Sequence, residues 1–340
     1  MDTTHFEENI PLSAQLTEHA LGYWYSAALR VAARIGVADH MADGPRSSQE
    51  LADLTGVSSS HLQRLLRLLS SRGVFREEEG FFQLTPAAKP LLSDSPKSMR
   101  KVINMLTDET FWKSAEELEY SVRTGGDAFG KIFGSAFFEY LARTPNAGDI
   151  FDSGQAALSE IEDSAIVAAY QFPLTGMVVD VGGGRGGLLR HVLTESQGLS
   201  GILYERESVL RYHDLKEYPQ IAKRWKVERG DFFEAIPAGA DIYLLKRILH
   251  DWNDEQSLRI LSACRAAMRK GSRLLVIDGI ITPDNMPDLA KTLDMLMMGV
   301  FHGQERTLLD FRRLFADAGL KIIRLLSTTT ALWIIEAVAI

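Results

Sequence analysis

Val178-Val179-Asp180-Val181 runs directly into Gly182-Gly183-Gly184-Arg185-Gly186-Gly187, and no other stretch restricts this chain as tightly. Apolar residues ahead of a turn read as a buried strand. The glycines let backbone N–H groups approach a ligand closely, and a helix beginning near Leu188 adds a partial positive charge at its N-terminus. Asp180 closes the strand just before the turn. Strand, glycine turn and helix in this order predict a nucleotide or nucleoside cofactor. Gly182, Gly184 and Gly187 match the dinucleotide fingerprint literally, and Glu205 stands about where that fingerprint places an acid on the ribose. Asp180 ahead of the glycines, in reach of a cationic amino-acid tail, and a second acidic motif, Gly230-Asp231-Phe232, suited to an adenine amine, point away from NAD.

From Met177 onward strands and helices alternate, the signature of a doubly wound parallel sheet. Strands are expected at 177–181, 201–205, 225–228, 241–246 and 273–278, with helices at about 254–269 and 307–318. Two final strands, 321–326 and 332–337, joined by a short polar turn, predict an antiparallel hairpin at the sheet edge. At 340 residues and 46% hydrophobic composition the chain suits two domains or one domain with an appendage.

The N-terminal third has another character. Leu21, Trp24, Ala28, Val31 and Ile35 recur at helical spacing within 11–40. A short capped helix (48–55), a turn at Gly56-Val57-Ser58, a second helix (60–69) and a hairpin around Gly80 make a winged-helix pattern. Gln63, Arg64 and Arg67 would face DNA if that helix read bases. Residues 1–100, however, hold ten Lys/Arg against twelve Asp/Glu, a balance of −2, and the wing carries Glu77-Glu78-Glu79, which repels phosphate. A packing or dimerisation module is the preferred reading. The whole-chain charge of −8 and pI near 5.6 also argue against nucleic acid. No apolar run approaches the roughly 18 residues of a membrane span. The acidic Met1–Ile10 lacks the apolar region of a secretory signal, so a cytoplasmic location is expected. Cys264, the single cysteine, excludes an intrachain disulfide and a cysteine-built zinc site.

Residues 100–170 read as mostly helical with a loop near Thr124-Gly125-Gly126-Asp127. The segment is rich in aromatics (Phe111, Trp112, Phe129, Phe133, Phe137, Phe138, Tyr140 and Phe151), which either pack helices or wall an apolar pocket for a flat substrate. Gln155, one turn after Phe151, is a polar candidate there. Met295, Met297, Met298, Phe301 and His302 present the same choice between core and substrate contact. The organisation expected is a winged-helix module over 1–100, a helical substrate-pocket segment over 101–170 and a cofactor-binding domain over 171–340.

Four motifs in order then carry a resemblance: Asp180-Val181-Gly182-Gly183-Gly184-Arg185-Gly186, Gly230-Asp231-Phe232-Phe233, Leu245-Lys246-Arg247-Ile248-Leu249-His250-Asp251-Trp252 and Gly303-Gln304-Glu305-Arg306-Thr307. Together they resemble the S-adenosylmethionine (SAM)-dependent O-methyltransferases, in particular the caffeate and hydroxyindole methyltransferase-like group and its bacterial natural-product members. The resemblance covers nearly the whole chain. It implies a Rossmann-like α/β methyltransferase sheet behind an α-helical, winged-helix dimerisation domain, and an interlocked homodimer. It also implies that Gly182 and Gly184 line the methionine part of SAM, Glu205 takes both ribose hydroxyls, Asp231 holds the adenine edge, Phe232 packs on the ring, and Lys246 and Arg247 lie beside the cofactor. The family usually has Asp-Leu-Pro where this chain has Glu205-Arg206-Glu207, and a glutamate can still chelate two hydroxyls.

SAM carries an already activated methyl group, so the enzyme must align an oxygen behind it and remove that oxygen's proton. A base that works near neutral pH favours histidine. His250 follows the fourth strand, at the carboxyl edge where such folds bind ligands, and the resemblance places the catalytic base there. Glu305 matches the family glutamate that holds the histidine ring, and Asp278 a second acid. The competing reading makes His250 part of a helix cap with Asp251 and Trp252; Asp251 either touches substrate or caps the following helix. Met295, Met298 and His302 remain substrate candidates beside Phe151 and Gln155. No carboxylate cluster suits magnesium, since Asp284, Asp288 and Asp294 are scattered, so metal-independent methylation of a phenolic hydroxyl of a secondary metabolite is expected. A phenazine, polyketide, flavonoid-like or indole phenol all fit. Rivals are a family member with decarboxylase, hydroxylase or pericyclic chemistry, a winged-helix regulator, and an NAD-dependent oxidoreductase.

Overall fold

The computed structural model describes residues 11–211, 213–301 and 303–340; Met1–Ile10, on which the reading of no secretory signal rests, lies outside the described residues. The chain divides into two units: the described residues up to Glu109 together with Asn146–Leu158, and Thr110–Pro145 together with Ser159–Ile340.

The first unit opens with α1 (Leu12–Ala20) and α2 (Gly22–Ile35). The sequence pattern reads as one helix through this stretch, but Leu21 leaves helical geometry and Gly22 restarts it. The inward face of α2 is Ala28, Ala32 and Ala33, while Leu21, Trp24 and Val31 stay exposed, an apolar stripe left open among the described residues. A short strand β1 (Arg46–Ser47) enters α3 (Ser48–Thr55) through a capping box between Ser47 and Glu50, which satisfies two otherwise unpaired helix N–H groups. In α4 (Ser59–Ser71), Leu62, Leu66 and Leu69 turn inward against Phe75 and Phe82. Strands β2 (Phe75–Glu78) and β3 (Phe81–Leu84) form a hairpin whose turn residues Glu79 (φ 49°) and Gly80 (φ 84°) are both left-handed, the turn type that matches strand twist. β1 adds to β3, completing the wing. Exposed Arg67 of α4 forms an ion pair with Glu77 of the wing at 3.0 Å, so the basic residue that DNA reading would need already faces an acid. α5 (Arg100–Leu106) follows.

Helices α6 (Glu109–Glu116), α7 (Leu118–Thr124), α8 (Ala128–Phe133) and α9 (Phe137–Arg143) carry the aromatic segment, and α10 (Pro145–Ala169) leads into the sheet. The sheet has strands β4 (Gly176–Val181), β5 (Leu199–Glu205), β6 (Trp225–Arg229), β7 (Ile242–Lys246), β8 (Arg273–Ile281), β10 (Leu320–Ser327) and β11 (Leu332–Ala339), in the order β10-β11-β8-β7-β4-β5-β6, with β9 (Arg306–Thr307) pairing on β8. β4 to β8 run parallel; β11 inserts antiparallel beside β8 and leaves β10 at the edge. Both faces of a parallel sheet are covered, and the alternation of β4 shows it. Val179 and Val181 join one core with α13 (Asp254–Ala267) and α15 (Leu308–Asp317); Val178 joins the other with α11 (Gly187–Glu195). Helices α12 (Glu207–Leu210) and α14 (Leu289–Val300) complete the unit. This is the doubly wound, Rossmann-like sheet expected from the sequence, and the N-terminal unit has the expected winged-helix form. Among the described residues no helix is long and apolar enough to cross a membrane.

The sequence pattern ends the fifth strand at Asp278, whereas β8 continues to Ile281 because β9 pairs with Ile280 and Ile281. Asp278 therefore stands inside a strand, opposite Trp333 of β11.

The turn after β4 uses three left-handed glycines, Gly182, Gly184 and Gly186 (φ 68°, 57° and 87°). Gly183 is limited by space instead: a Cβ there would sit 2.4 Å from Asp180 Cγ and 2.8 Å from Leu203 Cδ1, both in side chains that are buried. Gly183→Ala is therefore expected to destabilise the protein by about 1–3 kcal/mol, the usual cost of overpacking, read as a lower midpoint of denaturant unfolding; an unchanged midpoint would show that the loop has room to spare.

Candidate active site

The carboxyl ends of β4, β5, β6, β7 and β8 bring together most of the residues singled out from the sequence. Asp180 is 1% exposed and lies beneath Gly183 rather than in the open turn. One of its oxygens has no hydrogen-bond partner. Burial, and then the nearby Asp163, push its carboxyl up to about 7. At the end of β5, Glu205 accepts hydrogen bonds from Gly184 N (3.3 Å) and Arg206 N (2.7 Å), so its carboxylate rests against the glycine turn. After β6, Gly230 leaves space for the Tyr204 hydroxyl, which a Cβ would overlap at 2.0 Å. Exposed Asp231 accepts from Phe233 N through one oxygen, and the Phe232 ring reaches the turn at Gly182.

Lys246 and Arg247 follow β7, and a layer the sequence reading missed engages both. Lys246 donates to Asp163 at 2.6 Å and reaches Ser159 Oγ at 3.3 Å. Arg247, in the left-handed region at φ 52°, grips Glu162 with Nε and Nη2. Burial disfavours the Glu162 charge, but Arg247 and Lys246 outweigh it and hold the carboxyl below the usual range. Asp163 is raised, chiefly by burial. The signal available was an acidic pair, Glu162-Asp163, on the apolar final turns of α10.

His250 and Asp251 occupy a single helical turn, Leu249–Asp251, held by Gln304 N donating to His250 O at 2.8 Å. The His250 ring pairs Nδ1 with Glu305 Oε1 at 2.9 Å, and Nε2 faces Asp251 Oδ1 at 3.5 Å. Asp294, dismissed above as a metal ligand, instead accepts from Glu305 N at 2.9 Å. Glu305 Oε2 and both Asp278 oxygens are buried without a hydrogen-bond partner. Gly279 makes room for Glu305, since a Cβ there would lie 2.7 Å from Oε2. Burial opposes a charge on His250, but Asp251, Glu305 and Asp278 outweigh it and lift the imidazole to about 9. Asp278 is pushed up to about 7, first by burial and then by Glu305 and Asp251 against the pull of His250 and Arg247. His250 is thus a histidine oriented by one carboxylate and faced by a second, the arrangement that fixes a tautomer and supports the imidazolium formed on proton transfer.

Met298 is half-buried on α14, one turn from Asp294, while Met295 on the same helix is 43% exposed. Phe301 packs against Phe137 and Phe138 at 4.9 and 5.8 Å. Phe151 and Gln155, both half-buried, stand on the stretch of α10 that belongs to the first unit, and His302 lies outside the described residues. No group of three or more His, Cys, Asp or Glu among the described residues is arranged to hold a metal ion.

The sequence profile of the O-methyltransferase dimerisation domain matches residues 17–94, and that of the O-methyltransferase domain matches residues 115–321. The chain is 38% identical over 330 residues to the phenazine O-methyltransferase PhzM of Lysobacter antibioticus, with 96% of each chain covered. It is 37% identical over 308 residues to the mitomycin biosynthesis 6-O-methyltransferase of Streptomyces lavendulae, covering 89% of this chain and 87% of the other. Among solved structures it is similar to CalO1, a methyltransferase of calicheamicin biosynthesis with S-adenosylhomocysteine (SAH) bound: TM-score 0.92, 42% identity, 96% of this chain and 98% of the other covered.

The raised pKa values of Asp278 and His250 make stability depend on pH in one direction. Asp278 holds its proton more tightly folded than unfolded, so its favourable share is complete below the ordinary aspartate value and is lost as pH rises through about 7. The share of His250 is complete below the ordinary histidine value and is lost as pH rises through about 9. Asp278→Asn removes the first loss, and near pH 8 it is expected to be more stable than the parent by about 1–3 kcal/mol, with the gain vanishing near pH 4. Chemical denaturation at the two pH values checks this; an equal difference at both would mean that ionisation of Asp278 is not involved.

Proposed function

The chain belongs to the SAM-dependent O-methyltransferase family, and we propose that it methylates a phenolic hydroxyl of a planar aromatic secondary metabolite, with His250 as general base. Bound SAM supplies an activated methyl group on a sulfonium and leaves as SAH. The observation that carries the role of His250 is its 2.9 Å bond to buried Glu305, which leaves Nε2 to take the proton of a substrate hydroxyl.

The residues at the sheet edge fit the cofactor. The glycine turn presents open space at Gly184, where backbone can approach closely. Glu205 and Asp231 offer carboxylate oxygens suited to a ribose diol and an adenine amine, with the Phe232 ring beside them. Lys246, bonded to Asp163 and Ser159, is a cation close enough to act on Asp180 and would suit the carboxylate of the cofactor's amino-acid tail. Asp251 and Asp278, with Glu305, favour the imidazolium that follows proton transfer. That His250 and Glu305 are both present and paired supports methyl transfer over non-methylating chemistry in the same fold.

Aromatic Phe301, Phe137 and Phe138 with half-buried Met298 suit a flat apolar substrate, and one relative is named for a phenazine. Asp251 and Met295 are further substrate contacts in this reading. A homodimer is the assembly we infer, supported by the dimerisation-domain match and by the exposed Leu12 and Leu16 on α1, Leu21 between the helices and Trp24 on α2, exposed by 77, 70, 50 and 58%.

His250→Ala and Glu305→Gln are each expected to lower kcat by about 100-fold or more, the range of a lost general base, while calorimetric titration of SAH still shows binding and NAD shows none. The acid limb of the Glu305→Gln pH profile moves down, because the carboxylate that raises His250 is gone. Full turnover by His250→Ala removes the base role, and binding of NAD alone would remove the cofactor assignment. Light scattering of the purified protein should give twice the chain mass; a monomer that still turns over would remove the dimer.

A further inference from the structure

Arg306 is the largest fully buried side chain among the described residues, 2% exposed. Nothing in the proton transfer described above uses it. A buried guanidinium is costly unless its donors are paired, and two of the pairings here hold the carbonyls that flank His250. Nη1 donates to Leu249 O at 2.7 Å and Nη2 to Trp252 O at 2.7 Å, with Ser257 Oγ at 3.1 Å. Nε donates to Asp254 Oδ1 at 2.9 Å, in a side chain 64% exposed. The Ser257 hydroxyl, itself buried, lies 3.2 and 3.3 Å from the same two carbonyl oxygens. Those carbonyls bracket His250-Asp251 on either side.

The neighbours of Arg306 work on the same turn. Gln304 N holds His250 O, and Gly303 allows the close approach, since a Cβ there would fall 2.0 Å from that oxygen. Successive side chains of extended backbone point to opposite sides, so Glu305 reaches the imidazole ring while Arg306 reaches the backbone beneath it. The planar fork of arginine spans two carbonyls with fixed geometry, which a lysine's single ammonium does not.

We propose that Arg306 is a positioning residue for His250: by clamping Leu249 O and Trp252 O together with Ser257, it holds the His250 turn at the depth where the ring meets Glu305. The inference rests on the reading of His250 as base. The ionisable groups that bear on that ring are Glu305, Asp251 and Asp278, with Arg247 acting on those three acids and Asp294 on Glu305. None of them changes in the variants below, and lysine keeps the charge, so a moved pH profile reports ring placement.

The test is Arg306→Lys and, as the milder change, Ser257→Ala, each measured for kcat, SAH affinity, cooperative melting and the pH dependence of kcat. Arg306→Lys is expected to lower kcat by about 10- to 100-fold, as a misplacement near 1 Å does, with SAH affinity unchanged. Its acid limb moves down toward the ordinary histidine range as the ring loosens from Glu305. Ser257→Ala moves both quantities the same way and by less. A cooperatively melting Arg306→Lys enzyme whose pH profile matches the parent overturns the proposal, whether or not kcat falls. If Arg306→Lys does not fold, an unmoved acid limb in Ser257→Ala overturns it. Full turnover by His250→Ala would overturn the base reading itself, and this inference with it; an inactive His250→Ala beside an unmoved Arg306→Lys profile overturns this inference alone.

Discussion

Asp180, Asp278 and Glu305 stand at the carboxyl edge of the sheet almost without exposure, and Lys246 and Arg247 stand beside them with side chains only 10 and 16% exposed. Charges so placed are tolerable only where something nearby compensates them. Much of that compensation comes from α10, whose Glu162 and Asp163 receive Arg247 and Lys246. The docking of one helix on the sheet therefore sets the charge of the glycine turn, through Asp163 and Asp180, and that of the acid cluster around His250, through Arg247.

The same arithmetic of burial and charge explains a feature that looks contrary to base catalysis. A histidine lifted to about 9 holds its proton at neutral pH, whereas a base must be free to accept one. Asp251, Glu305 and Asp278 favour the imidazolium, which in the proposed reaction is the state His250 would reach when the substrate hydroxyl loses its proton. In that proposal they would lower the energy of charge as it develops, and the sulfonium of a bound cofactor would disfavour the imidazolium before the reaction begins. Asp278, raised to about 7 and without a hydrogen-bond partner, is held in the folded state at a cost in stability, as strained or unsatisfied groups at functional sites often are.

The N-terminal unit shows the opposite use of exposure. Its winged-helix form matches the pattern of DNA readers, yet Arg67 is tied to Glu77, and apolar Leu12, Leu16, Trp24 and Val31 of α1 and α2 are exposed. An apolar stripe rather than a basic one is what a second protein chain covers, in keeping with the dimerisation-domain match.

Periodicity and turn residues were enough to determine the succession of strands and helices along the chain, the glycine turn, the edge hairpin and the wing, and the family resemblance carried by four ordered motifs added His250 with Glu305 as a pair. These are local patterns, or motifs whose chemistry allows few alternatives, so they can be read along a line. The break at Leu21, the extension of β8 past Asp278, the Glu162–Arg247 and Asp163–Lys246 pairs, the bond from Asp294 to Glu305 and the hold of Arg306 on the His250 turn were decided only in three dimensions. Each joins residues far apart in sequence or depends on what covers a surface, and the free energy of a buried charge is set by its neighbours in space, which no spacing along the chain records.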